Sequence, residues 1–161
     1  MRSPEEHVSP ATLLAALGRG LVAGLAGTAA ITAAQELEMR LRGRPPSMIP
    51  AHIGSKLLHV EPATETGKTY FNNLVHWSYG ALSGLDCAAL ALLGVRGRAA
   101  ATTHFAVVWT ADMALLLSLG LVPLPWRWMP IELTFHTGYR LCLSLTSHTI
   151  YVWLQARAHS N

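Results

Sequence analysis

The sequence carries little charge for its length. Of its 161 residues only 13% are Asp, Glu, Lys or Arg, while 51% are hydrophobic and the mean hydropathy is +0.31. A soluble domain has about 25% charged residues, so this balance predicts an integral membrane protein in contact with the lipid bilayer. The net charge of +3 is not gathered into a concentrated basic patch, which argues against nucleic acid as a partner.

Cysteine is also scarce, and recognisable catalytic motifs are missing. Cys87 and Cys142 both lie inside apolar runs, which is typical of buried and inert thiols. The chain has no Cys-x-x-Cys, no His-Glu-x-x-His, no Gly-rich phosphate loop and no hydrolase order of Ser, His and Asp. These absences predict no catalytic centre and no dedicated metal site.

What the sequence does contain is four apolar segments long enough to cross a bilayer, for which about 20 helical residues are needed. They lie at residues 10–42, 69–93, 99–122 and 131–154. Ser9 and Pro10 form a good N-cap and N1 pair for the first helix, and Gly43 ends it. We therefore expect a single all-α domain, a four-helix transmembrane bundle.

Residues 43–68, between the first and second spans, form the one sizeable polar segment. Residues 50–59 within it have the pattern of a short interfacial helix, with Ile53, Leu57 and Leu58 directed into the membrane surface. An ordered loop without a helix is the equal alternative.

Small residues recur on the first two spans. Gly20, Gly24 and Thr28 follow each other at every fourth position, and Gly80 and Gly84 do so in the second span. Such stripes are typical of membrane helices whose backbones approach closely. The pattern therefore predicts close helix packing.

Ionisable side chains recur at helical spacing in every predicted span, where each is costly to bury without a partner. Sorting them by depth with the rise of a helix predicts two polar layers. The first layer contains Glu36, His76, Asp112, Glu132, His136 and Arg140, and the second contains Asp86, His104 and His148. Because Arg140 is protonated in any setting, a carboxylate of its layer must neutralise it. The candidates are Glu132, Asp112 and Glu36.

Three interpretations of these layers stay open. The polar groups can hold the helices together, in a scaffold subunit that binds a membrane partner or a second copy through the small-residue stripe of the first helix. They can handle or sense protons, with His76 and His136 titrating beside Glu132 and Asp112. They can also ligate haem or a metal, through His76 with His136 or through His104 with His148.

Several stretches together resemble the YagU-like family of small bacterial inner-membrane proteins. They are NNLVHWSYGALSG, HFAVVWTADMALLLSLGLVPLPW and ELTFHTGYRL, which place a histidine early in each of the last three spans. The GRPPS segment at residues 43–47 is similar to that of a group of actinobacterial membrane proteins. The resemblance implies a multi-pass protein of the bacterial plasma membrane, with both termini in the cytoplasm and a link to acid tolerance. The chain is shorter than the YagU-like pattern, and its first loop lacks a cysteine.

Overall fold

The computed structural model describes residues 9–160, which are helical apart from short connections. The helices are α1 (Pro10–Arg42), α2 (Ile49–Leu58), α3 (Glu65–Ser83), α4 (Leu85–Leu92), α5 (Gly97–Ser118) and α6 (Pro130–His159), with a 3-10 turn at Pro125–Arg127. No strand occurs within this described range. The expectation of an all-α fold is confirmed. Within residues 9–160, two helices, α1 and α5, are long and apolar enough to cross a membrane.

The ends of α1 follow from local hydrogen bonding. The Ser9 hydroxyl accepts a hydrogen bond from the backbone N–H of Thr12 at 3.2 Å, which satisfies a donor that the first turn would leave unpaired. At the other end Gly43 adopts a left-handed conformation with φ of 63°, and its N–H bonds the Met39 carbonyl. The long first helix therefore has a defined stop before the Pro-rich segment.

The predicted segment 69–93 is not one helix, because Gly84 divides it into α3 and α4. The N–H of Cys87 bonds the Gly84 carbonyl at 3.1 Å, three residues back, instead of the Ser83 carbonyl. The Ser83 carbonyl accepts from Nε2 of His104 on α5 at 3.1 Å instead. A side chain of α5 thus satisfies one backbone carbonyl that the interruption leaves without its helical partner.

The polar segment does contain a helix, α2, which packs on α3. Gly54 lies against Phe71 and Val75, and the N–H of Ala51 donates to the Asn72 side chain at 2.9 Å. The alternative of a loop without a helix is therefore wrong. The exposed leucines of this helix are Leu57 and Leu58.

The bundle is built around α1, which packs most extensively against α6 and then against α3. Gly24 meets the backbone at Gly80 and Gly84 without room for a Cβ, and Thr28 fits against Gly80. The predicted small-residue stripe therefore forms a contact between helices of the same chain, where α1 crosses α3 and α4. Deeper in the bundle, Ile31, Val108 and Leu143 form a fully apolar cluster.

Candidate functional site

The centre of the candidate site is a buried carboxylate with an arginine and a histidine beside it. Asp112 on α5 is only 2% exposed. Arg140 on α6 donates from Nε to Oδ2 of Asp112 at 3.0 Å, and its Nη2 lies 2.8 Å from Oδ1. Nε2 of His136 lies 3.3 Å from the same Oδ2, close enough for an ion pair although its angle does not meet hydrogen-bond geometry. Asp112 is therefore the shared partner of Arg140 and His136. These two residues lie four positions apart and so share a face of α6.

His136 lies between two indole rings. The Trp128 ring meets it edge to face at 5.2 Å between centroids, and the Trp109 ring does so at 6.5 Å. The indole N–H of Trp109 donates to the Thr137 hydroxyl at 3.4 Å. These contacts hold the imidazole next to Asp112 and make tryptophan fluorescence a probe of its charge.

A cavity of about 890 Å³, here called the vestibule, leads to this cluster. It extends from the residues around the end of α1 and the start of α2 down to Asp112. Its polar lining near the bottom consists of His76, Tyr79, Asp112, His136 and Arg140. The site is therefore a concave pocket that opens at one end of the bundle.

Nε2 of His76 lies 2.9 Å from the Thr32 hydroxyl. The Thr32 hydroxyl donates its hydrogen bond to the Thr28 carbonyl at 2.7 Å. Nε2 of His76 must therefore be the donor in its hydrogen bond with Thr32. The sequence placed His76 beside an acidic partner, but the structure places it beside the Thr32 hydroxyl. Thr32 continues the row of Thr28, from which the sequence predicted helix packing and not contact with a histidine.

At the mouth of the vestibule, Glu38 is 5% exposed and binds two arginines. Arg42 donates to it at 2.8 Å, and Nε of Arg44 donates to both of its oxygens at 2.8 and 2.7 Å. The hydrogen bond with Glu38 raises the pKa of Arg44. Arg42 also lies over the Phe135 ring at 5.0 Å. This cluster joins the end of α1, the following loop and α6.

We predict that Glu38→Gln lowers the free energy of unfolding by about 1–2 kcal/mol, because two arginines lose charge-assisted bonds yet remain partly hydrated. Glu36→Gln is the matched control. Glu36 is exposed and pairs with the exposed Arg40, so we expect a change below about 0.5 kcal/mol. Thermal unfolding in detergent measures both changes. Equal effects of the two variants would contradict the assigned role of Glu38.

Two predicted members of the first layer line the vestibule but lie outside the cluster of Asp112, His136 and Arg140. Glu36 is exposed, and Glu132 caps α6 by accepting from the N–H of Met129 at 3.2 Å. Neither carboxylate is the partner of Arg140, which is Asp112. Since a helix turns about 100° per residue, each four-residue step drifts by about 40°. The row of Gly20, Gly24 and Thr28, continued in four-residue steps, has therefore left the interior by Glu36, whereas Glu38 has returned to it.

The second layer centres on His104, which is fully buried. Its Nε2 bonds the Ser83 carbonyl and must carry the hydrogen, so Nδ1 accepts from the Cys87 thiol at 3.5 Å. Asp86 and His148 lie near enough to interact with it electrostatically. Val108, midway between His104 and Asp112 on α5, belongs to the apolar cluster. The two polar layers are therefore separated by apolar side chains.

Neither layer offers an arranged metal site. Over residues 9–160, no group of three or more His, Cys, Asp and Glu side chains is placed to hold a metal ion. His104 engages both ring nitrogens, so haem ligation by it would require one of those bonds to break.

Comparisons with protein-family models, with curated proteins and with solved structures found no match.

Proposed function

We propose that the protein is a multi-pass membrane protein of the bacterial plasma membrane, with four spans formed by α1, by α3 with α4, by α5 and by α6. The distribution of polarity supports this arrangement. Buried positions include His104, Asp112 and Ser144, whereas large apolar side chains lie on the outside. The most exposed leucines of α1, α3 and α6 are Leu14, Leu37, Leu41, Leu74, Leu82 and Leu145. An apolar exterior around ionisable groups is expected of helices surrounded by lipid.

The length of α6 also supports a span, although its composition is more polar than that of α1 and α5. At about 1.5 Å per residue, the stretch from Pro130 to Trp153 measures about 35 Å, enough for a hydrocarbon core of about 30 Å. Because α6 packs along α1, the two helices share the same environment. With four spans both termini lie on one side, which we propose is the cytoplasm, as the YagU-like resemblance implies. The vestibule then faces the outside.

Within this architecture the protein handles protons, and His136 is the group that takes them up from the vestibule. The single observation that carries this proposal is the sharing of Asp112 between Arg140 and His136. While His136 is neutral, Arg140 alone balances the carboxylate. Once His136 is protonated, two cations compete for one carboxylate, and the cluster gains a charge in a poorly hydrated place. Protonation therefore changes the balance of forces between α5 and α6.

The apolar cluster of Ile31, Val108 and Leu143 favours sensing or gated uptake over an open conduit. These side chains are at most 2% exposed and lie beyond Asp112, and the vestibule lining does not include them. Protons that enter the vestibule therefore reach Asp112 and His136 before they reach the apolar cluster. Because the vestibule faces the outside, His136 is exposed to external acid, and this position supports a role in acid tolerance.

The rival proposal of a scaffold subunit receives less support. It assigned partner binding to the small-residue stripe of α1, but Gly20, Gly24 and Thr28 pack against α3 and α4 of the same chain. A membrane-protein partner or a second copy would need another surface.

The test uses the tryptophans beside His136. We predict that the parent protein in liposomes shows a fluorescence transition as external pH falls, because a protonated imidazole next to Trp128 changes its emission. His136→Gln reduces the amplitude of that transition, because the Trp77 ring beside His76 continues to respond, while His52→Gln, on the exposed face of α2, leaves it unchanged. Recovery of internal pH after an acid challenge is followed in the same vesicles. A transition of full amplitude in His136→Gln would exclude His136 as the proton acceptor.

A further inference from the structure

We propose that the vestibule binds an organic monoanion with an apolar body, such as a carboxylate, at its deep end. This inference deepens the proposed function, since the anion occupies the same site and is favoured when that site is protonated. It stands on three observations: the charge balance of the lining, the donors that remain available, and the apolar walls.

The charge balance differs between the two ends of the vestibule. At the mouth, Glu38 is paired with Arg42 and Arg44, and the exposed Glu36 is paired with Arg40. Glu132, which also lines the vestibule, accepts a hydrogen bond from the Met129 N–H at the start of α6. At the deep end, Asp112 is the acidic group of the described lining, whereas His76, His136 and Arg140 are cationic or can become so. Protonation of either histidine leaves a surplus positive charge there. A bound anion would neutralise it.

The deep end also has hydrogen-bond donors for an anion. Asp112 occupies two of the five N–H groups of Arg140, so three remain on a side chain that lines the vestibule. Protonated His76 gains a further donor at Nδ1, because its Nε2 is already engaged by Thr32. Both oxygens of Asp112 are held by Arg140, which disfavours a cation as the occupant.

The walls between the two ends carry many apolar side chains. They include Met39, Ile53, Val75, Leu116, Val122 and Phe135. A volume of about 890 Å³ lies in the range of small-molecule sites, about 300–1,000 Å³. The combination of a cationic end and an apolar shaft fits a carboxylate with a hydrocarbon body better than a compact inorganic anion.

The experiment measures binding of hexanoate and of hexanamide, its uncharged counterpart, to the protein in phosphatidylcholine nanodiscs by tryptophan fluorescence. We expect saturable hexanoate binding that strengthens as pH falls, and hexanamide at least tenfold weaker. His76→Gln weakens hexanoate binding about tenfold, and His52→Gln does not. Circular dichroism and thermal unfolding establish that the variants are folded.

A second arm uses dodecanoate to separate an aqueous source of the anion from a bilayer source. Dodecanoate binding much tighter than hexanoate places the source in the membrane, and comparable affinities place it in water; both outcomes support an anion site. Equal binding of hexanoate and hexanamide, no binding of either, or no effect of His76→Gln overturns the inference. The ligand-free fluorescence transition reports proton uptake separately, so absence of that transition in the parent protein, with hexanoate binding retained, would overturn only the proposed function.

Discussion

Asp112→Ala is expected to lower the free energy of unfolding by about 3–5 kcal/mol, the usual cost of removing one partner from a buried ion pair. The reason is the state of Arg140 after the change. Its guanidinium stays protonated, and the side chain is only 17% exposed, so the charge would lose its carboxylate without gaining full hydration. Unfolding of the purified protein in mixed detergent micelles measures the loss.

A double variant separates the charge effect from general damage to the core. Asp112→Leu combined with Arg140→Met removes both charges and fills the space with apolar atoms, and such replacements of a whole ion pair are often close to neutral. We therefore expect the double variant to be clearly more stable than Asp112→Ala. If it is equally unstable, packing at this position matters more than the ion pair.

Much of the helical framework follows from local sequence signals. The start of α1 at Ser9-Pro10 and its stop at Gly43 are encoded by capping residues within one turn of each end. The interruption at Gly84 could not be predicted in this way, because the apolar pattern runs through it. It coincides with a hydrogen bond from His104 to the Ser83 carbonyl, twenty-one residues apart in the sequence, and with the close approach of α1.

The candidate site was predictable only where helical register was counted correctly. His136 and Arg140 share one face of α6, and matching depths on antiparallel helices placed Asp112 near them. Glu38 was missed because a strict four-residue row was followed to Glu36 without its drift. Its partner Arg44 comes from the loop after α1, where no periodicity applies, so only tertiary structure reveals that contact.

The crossing of α1 with α3 and α4 gives the second large expected effect. Gly24→Ala should cost about 3 kcal/mol, at the upper end for overpacking. A Cβ at Gly24 would lie 2.6 Å from the Ala81 carbonyl oxygen and 2.9 Å from the Gly84 nitrogen. These are backbone atoms, which cannot move aside as a side chain can. The helices must separate, and the layers that they position must shift with them.

Gly18→Ala on the same helix is the matched control, since no packing neighbour among residues 9–160 lies within 4 Å of a Cβ there. Alanine has a higher helix propensity than glycine, so this variant should gain up to about 1 kcal/mol. The two identical chemical changes, six residues apart, are thus expected to have opposite signs in the same unfolding measurement. Equal stabilisation by both would mean that α1 does not cross α3 and α4 at Gly24. That result would also contradict the packing of α1 against α3 that places Thr32 beside His76.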